Sequence, residues 1–247
     1  MRRRYRWMCL MLGWGLAVSP VAAQSYSQLW EKVETLQKED LPQSQLKVLG
    51  EICRKAEAEG NLPEMMKAFC MRGYIQGELT PDSIPVERKK LKEWAARETD
   101  TVGQAVLNSL LGTVYAADAE KDFGEVVAYF DRSLQPVEVL GNTSAGTFRP
   151  MTESGEWSVT YFGDNFYDLL VRQAIRALSS RRDFFSRQEV ADKCMELYRN
   201  LAGFYTERND RQALLLTELA MLQFRYERAS VWKQYRLPQE ELMNRLW

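Results

Sequence analysis

Histidine is absent from the 247 residues of this chain. This absence excludes Ser-His-Asp and Cys-His catalysis, histidine metal sites and histidine pH switches. There is no Cys-x-x-Cys pair either, so zinc-ribbon and thioredoxin-like motifs are excluded. The glycine-containing stretch 141–146 is followed by Thr147 and Phe148 instead of Lys-Ser or Lys-Thr, so it is not a phosphate-binding loop.

A strong excess of one charge is also missing, because 33 Lys and Arg residues face 34 Asp and Glu residues. A nucleic-acid-binding protein would be expected to carry a basic excess. The acidic residues Asp122, Glu125 and Asp131 lack the dense spacing of a calcium loop. The sequence therefore predicts no catalytic residue, no cofactor-binding residue, no metal ligand and no enzymatic activity.

The one long hydrophobic run lies near the N-terminus. It spans residues 8–18 and follows a basic stretch that contains Arg2, Arg3, Arg4 and Arg6. Small residues at 21–23 then provide a cleavage site, so residues 1–23 have the anatomy of a secretory signal peptide cleaved after Ala23. The run is shorter than a membrane-spanning helix requires. We therefore expect an exported protein, periplasmic or secreted, with no membrane span after cleavage.

Cleavage would change the charge balance. It removes four arginines and no acid, which leaves 29 basic against 34 acidic residues and a net charge of −5. An acidic surface argues against nucleic acid or anionic lipid as partners. We expect a protein partner; the sequence identifies neither that partner nor the oligomeric state.

Cysteine is scarce in the mature chain, which retains Cys53, Cys70 and Cys194. Each of the three falls on an apolar helical face, so one interpretation is three buried thiols. The alternative is a Cys53–Cys70 disulfide between successive helices, which an oxidising compartment would permit.

What the chain does contain is helical periodicity over most of its length. Apolar residues recur at a 3.6-residue period in residues 24–133 and again in residues 165–247. Between them, residues 134–164 hold four glycines and two prolines and break the pattern. We therefore predict an all-α protein with N-terminal helical repeats, a loop-rich insertion over 134–164 with a short extended piece at 156–162, and C-terminal helical hairpins.

Several local predictions concern the C-terminal part. Asp164 is a candidate N-cap, and the stretch 186–189 reads as a capping box that begins with Ser186. A final helix is predicted from Pro238 to Trp247. On the helix before it, the predicted inward face is formed by Leu215, Leu219, Leu222 and Tyr226.

The spacing of the helices suggests a repeat. The first, third and fifth predicted helices start near residues 26, 63 and 101, close to the length of a helix-hairpin repeat. Such hairpins stack to bury their apolar faces. The tetratricopeptide (TPR) consensus is poorly met, so both a TPR-like array of antiparallel hairpins and an irregular α/α bundle remain open.

Several short stretches resemble the N-terminal region of bacterial alpha-2-macroglobulin-like proteins. They are spread over most of the mature chain and comprise residues 25–33, 38–42, 55–61, 65–72, 79–83, 93–100 and 214–219. The resemblance implies a protein of the cell envelope or a secreted protein, from a family of protease inhibitors that use a bait region and often a thioester.

The chain departs from that family where its inhibitory chemistry would be. The thioester motif Cys-Gly-Glu-Gln is absent, and residues 194–197 read Cys-Met-Glu-Leu. We therefore expect a non-catalytic, exported helical interaction module that resembles the N-terminal portion of such an inhibitor and does not trap proteases by itself. The alternative is a standalone TPR-like scaffold protein of the cell envelope.

Overall fold

The computed structural model describes residues 24–118, 122–148, 162–180 and 187–228. Of these residues, 84% are helical and none forms a strand, which confirms the all-α prediction. No helix within these ranges is long and apolar enough to cross a membrane. Their α-helices are α1 (Tyr26–Lys38), α2 (Pro42–Glu59), α3 (Leu62–Leu79), α4 (Ile84–Arg97), α5 (Thr101–Ala116), α6 (Phe123–Ser133), α7 (Val137–Gly141), α8 (Phe166–Ser179), α9 (Gln188–Glu207) and α10 (Arg211–Arg228).

Local capping explains where many of these helices begin. At α1 the Ser25 hydroxyl accepts the Gln28 backbone N–H, and the Gln28 side chain accepts the Ser25 backbone N–H at 2.9 Å. This reciprocal arrangement satisfies two donors that a helix N-terminus otherwise leaves unpaired. Side chains also cap α3, α5, α6 and α8, and the residues that provide them are Asn61, Asp100, Asp122 and Asn165.

Two predicted caps turn out differently. The N-cap of α8 is Asn165 and not Asp164, whose carboxylate instead accepts the Ser144 hydroxyl at 2.8 Å. Helix α9 begins at Gln188, and its N-cap residue Arg187 makes no side-chain capping hydrogen bond. Ser186, where the predicted capping box begins, lies outside the described residues.

The buried apolar side chains form two cores. One is shared by α1, α2 and α3 and includes Val33, Leu49 and Ile52. The larger core draws on α3 to α10. Helix α3 belongs to both, because Ala68 packs into the first core and Met66 into the second. The α1–α3 unit is therefore joined to the remainder through the two faces of α3.

Helix α5 is the centre of the larger core. Eleven of its sixteen residues are buried, and it packs against α4, α6, α7 and α8. A helix that is apolar on all sides is expected in such a position. It comes close to α6 at Gly112, where a Cβ would lie 2.7 Å from the Phe130 ring. Glycine at this position allows α5 and α6 to pack closely.

The structure combines features of both predicted architectures. Helices α1, α3 and α5 begin at residues 26, 62 and 101, close to the predicted starts. Sequential helices from α1 to α6 pack as hairpins, as expected of a repeat. Helix α5 also packs against α8, which is far from it in sequence, so the larger core has the character of an irregular bundle.

The predicted insertion contains helical structure in its described part. Helix α7 and a 3-10 turn, Ala145–Phe148, lie within residues 134–148, and their buried side chains include Leu140, Ala145 and Phe148. Most of the predicted extended piece at 156–162 lies outside the described residues. So do the predicted signal peptide, residues 1–23, and the predicted helix from Pro238 to Trp247.

Candidate functional site

Helix α10 presents an apolar stripe on its outer side, which we call the outer stripe. It consists of Leu215, Leu219, Leu222 and Tyr226, spaced so that all four lie on one side of the helix. Three of them are exposed: Leu215 by 62%, Leu219 by 48% and Tyr226 by 76%. Leu222, between them, is only 8% exposed.

The opposite side of α10 faces the larger core. Ala213, Met221 and Phe224 are buried there, and the Phe224 ring packs against Tyr198 of α9 at a centroid distance of 5.6 Å. Thr217 on the same side is fully buried, and its hydroxyl donates to the Ala213 carbonyl at 2.8 Å. The prediction that the outer stripe faces inward is therefore wrong for its three exposed members, because a second apolar side of the helix occupies the core.

The outer stripe differs from the other exposed apolar residues. Tyr74 on α3 and Val86 on α4 are exposed by 70% and 52%. Single exposed apolar side chains of this kind are normal on protein surfaces. Leu215, Leu219 and Tyr226 are three large ones along one side of one helix, and an exposed apolar surface of this kind is typical of a protein interaction site.

A second feature, which is polar, lies inside the protein at the start of α8. The Asp168 carboxylate is completely buried and accepts four hydrogen bonds. Its Oδ2 accepts the backbone N–H of Phe162 at 2.6 Å, that of Gly163 at 2.9 Å and the Tyr205 hydroxyl at 2.7 Å. Its Oδ1 accepts Nε–H of Arg172 at 2.6 Å. These four hydrogen bonds engage both carboxylate oxygens and join α8 to α9 and to the chain before α8, so we assign this cluster, the Asp168 network, a structural role.

The Asp168 network brings α8, α9 and the chain before α8 together. The Arg172 guanidinium lies 3.5 Å from the centre of the Phe162 ring. Burial and the hydrogen bond to Asp168 raise the pKa of Tyr205 above its usual value, so this hydroxyl remains a donor at neutral pH. At Gly163 any side chain would collide with the Tyr205 hydroxyl. The network thus fixes the backbone at 162–163 against two helices.

The described flanks of segment 149–161 both pack against α8. On one side, the Phe148 ring contacts Phe166 edge-on at a centroid distance of 5.1 Å, and the Thr143 carbonyl accepts the Phe166 N–H at 2.9 Å. On the other side, Phe162 is held by the Asp168 network. The two described residues that flank this segment, Phe148 and Phe162, are therefore both held against the start of α8.

Cys53 and Cys70 are free thiols, so the alternative of a Cys53–Cys70 disulfide is not realised in the structure. Cys194 is buried, as predicted, whereas Cys53 and Cys70 are only partly buried. Cys53 packs against the α1–α3 core and Cys70 against the larger core. Their side chains therefore serve different clusters, although α2 and α3 are neighbours.

We expect Cys70 to react slowly with iodoacetamide in the native protein. Burial, with a smaller contribution from Cys53, raises the pKa of its thiol to about 12. Since the thiolate is the reactive form, a rise of this size from the usual value lowers the reactive fraction at pH 8 about a thousandfold. The rate should increase as the pH rises towards 10, and it can be followed by mass spectrometry of timed digests.

The same digests provide the control. In guanidinium chloride all three cysteines should be alkylated rapidly and completely. A disulfide-linked peptide containing Cys53 and Cys70, or native labelling of Cys70 as fast as denatured labelling, would contradict the arrangement of thiols described above.

Among the described residues, no group of three or more Cys, Asp or Glu side chains lies close enough together to hold a metal ion. The described part of the chain thus defines an all-α protein whose most distinctive surface feature is the outer stripe of α10. Comparisons with protein families, with characterised proteins and with solved structures find no match to this chain.

Proposed function

We propose that this protein is a non-catalytic, exported helical interaction module that binds a protein partner through the outer stripe. The observation that carries the proposal is the exposure of Leu215, Leu219 and Tyr226 along one side of α10. Leaving these side chains in water forgoes roughly 1.5–3 kcal/mol for each large apolar residue. A surface of this kind gains stability when an apolar partner covers it.

The geometry of the stripe suggests the kind of partner. It is a narrow row along one helix, and an amphipathic helix with apolar residues at three- and four-residue spacing is complementary to such a row. The charged residues beside it, Arg211 and Glu218, have opposite signs and can set the orientation of that partner helix.

Export is part of the proposal and is based on the signal-like sequence of residues 1–23. The reciprocal cap of α1 is formed by Ser25 and Gln28, which both follow the expected cleavage after Ala23. Cleavage there would leave both residues of this cap in the mature chain. The relation to the N-terminal region of alpha-2-macroglobulin-like inhibitors is likewise a proposal, and it can be examined by reading the coding sequence beyond the Trp247 codon for bait and thioester segments.

A second candidate is a standalone TPR-like scaffold of the cell envelope. The observation in its favour is the regular recurrence of helix starts at residues 26, 62 and 101. Both candidates are interaction proteins without catalysis, and unrelated coding sequence beyond Trp247 would favour this one.

Photo-crosslinking tests the proposed interface. We expect p-benzoylphenylalanine at Leu215 or at Tyr226 to give an adduct of higher mass with a distinct protein in the producing cells, which mass spectrometry identifies. Leu219→Asp in the same chain should abolish that adduct, because it places a charge in the centre of the apolar row.

The same photoreactive residue at Tyr74, which is 70% exposed on α3, is the matched control. It should give no such adduct. Absence of an adduct at both positions on α10, or an equal yield from Tyr74, would refute the outer stripe as the interaction site.

A further inference from the structure

We infer that the outer stripe binds a second copy of this chain, with the two α10 helices packed antiparallel about a two-fold axis. This inference rests on the proposed function, since it names an occupant of the same surface when no other partner covers it. A partner helix would compete with the second copy for the stripe.

The spacing of the outer stripe is the first argument. Its four members are separated by four, three and four residues, which is the a/d spacing of a coiled coil. In an antiparallel pair whose axis passes at the level between residues 220 and 221, Leu215 lies opposite Tyr226 of the other copy, and Leu219 lies opposite Leu222. The contact between Leu215 and Tyr226 forms twice, and both side chains are exposed in the single chain. The stripe is therefore complementary to itself, as a two-fold interface requires.

The charges beside the stripe provide the second argument. Glu218 and Arg225 are seven residues apart, so they lie on the same flank of the outer stripe. Glu218 is exposed and Arg225 is partly exposed, and neither forms an ion pair with another of the described residues. Each copy therefore offers one negative and one positive charge on this flank that can pair with a neighbouring molecule.

The antiparallel register brings these opposite charges together. The two-fold axis places this flank beside the same flank of the other copy, where Glu218 and Arg225 differ in level by two residues, about 3 Å along the axis. Each side chain leans toward the N-terminus of its own helix, so the two lean toward each other in an antiparallel pair. The attraction forms twice in the dimer. A parallel pair would instead place Glu218 opposite Gln223 of the other copy.

The size of the stripe predicts a weak dimer. Each copy contributes three exposed apolar side chains, whereas a standard interface uses roughly 20–30 residues on each side. We therefore expect a dissociation constant between about 1 µM and 1 mM. Such a dimer forms at high concentration and gives way to a partner that covers more of the surface.

Sedimentation equilibrium of purified residues 24–247 tests the inference in the absence of any other protein. We expect the mean mass to rise from that of one chain towards that of two chains between about 1 µM and 1 mM. Glu218→Arg and Arg225→Glu should each weaken the dimer at least about tenfold, because like charges then face each other twice. Lys89→Glu, at a side chain 77% exposed on α4, is the matched control and should leave the dimer unchanged.

A mixture of the two stripe variants gives a sharper readout. Glu218→Arg carries two positive charges on the flank and Arg225→Glu carries two negative charges, so both pairs are attractive only between different variants. An equimolar mixture should therefore dimerise as the unmodified chain does. A loss of general stability could not produce this recovery.

A second measurement decides the question if Arg225→Glu does not fold, which circular dichroism would show. With p-benzoylphenylalanine at Leu215, the purified chain should give an adduct of twice the chain mass, in which the crosslink joins position 215 to the region of Tyr226. These positions are about 16 Å apart within one helix, so a link between them identifies the antiparallel pair. Glu218→Arg in the same chain should abolish the adduct.

The inference would be overturned by a chain that stays monomeric up to about 1 mM, by two folded variants that do not dimerise when mixed, or by a crosslink between the two positions 215, as in a parallel pair. These outcomes are separate from those of the crosslinking in cells. A dimer of the purified chain with no adduct to a distinct protein would leave this inference standing and refute the partner site, and the reverse pattern would do the opposite.

Discussion

Replacement of Asp168 by alanine is expected to lower the free energy of unfolding by about 3–5 kcal/mol, the range found when one member of a buried ion pair is removed. The substitution leaves Arg172, 8% exposed, without its carboxylate partner. It also leaves the Phe162 and Gly163 N–H groups and the Tyr205 hydroxyl without their acceptor. Urea-induced unfolding followed by circular dichroism measures the change.

Tyr205→Phe is the graded control for this prediction. It removes one donor to Asp168 and keeps the ring, so we expect a loss of about 1.5–3 kcal/mol, as for a hydrogen bond to a charged group. Tyr74→Phe, at an exposed tyrosine, should change stability by less than about 0.5 kcal/mol. If Asp168→Ala were no more destabilising than Tyr74→Phe, the Asp168 network would not hold the start of α8 as described.

Alkaline pH should reproduce part of this effect in the unmodified protein. The pKa of Tyr205 is raised in the folded state, so folding favours the protonated hydroxyl. The stability from this preference is fully present below the unfolded pKa of about 10 and is lost as the pH rises above it. In Tyr205→Phe that part of the alkaline loss of stability should be absent.

Phe130→Ala is expected to destabilise the protein by about 3–5 kcal/mol, the usual cost of removing a buried aromatic ring and leaving a cavity. Phe130 is completely buried in the larger core. Its ring lies directly over Gly112 of α5, where there is no side chain that could move into the space. Thermal and urea unfolding of the variant measure the loss.

Val86→Ala provides the comparison for Phe130→Ala. Val86 is half exposed on α4 and its truncation opens no cavity, so the expected change is within about 0.5 kcal/mol. A loss for Phe130→Ala below about 1 kcal/mol would mean that α5 and α6 close the gap, and the close packing over Gly112 would then not be needed for stability.

Much of the helical framework could be predicted from the sequence, because the signals are local. The starts of α1 and α5 agree with the apolar period, and the caps at Ser25 and Asp100 lie within three residues of the N–H groups that they satisfy. Where two adjacent residues can both serve as the N-cap, the local sequence does not decide which of them does. Asp164 and Asn165 are such a pair, and the bond from Ser144 to Asp164 engages the carboxylate elsewhere.

The Asp168 network shows why the interior polar site could not be predicted. Asp168 and Tyr205 are 37 positions apart and meet only because α8 and α9 pack together. Neither residue belongs to a motif, and the helical period of α8 gives no sign that a charged residue at this position is buried. The one local signal was the combination of Asp168 and Arg172 at four-residue spacing, which is also common on exposed helix faces.

The sequence by itself determined that the chain is helical, where most helices begin, and that Leu215, Leu219, Leu222 and Tyr226 share one side of a helix. Only the tertiary structure decided which side of α10 faces the core. The side with the outer stripe and the side with Ala213, Met221 and Phe224 are both apolar enough to be buried. The helical period of apolar residues therefore does not decide between them. The packing of Phe224 against Tyr198 and the burial of Ala213 select the other side. Three of the four side chains predicted to lie in the core, Leu215, Leu219 and Tyr226, are consequently exposed, and Leu222 is buried.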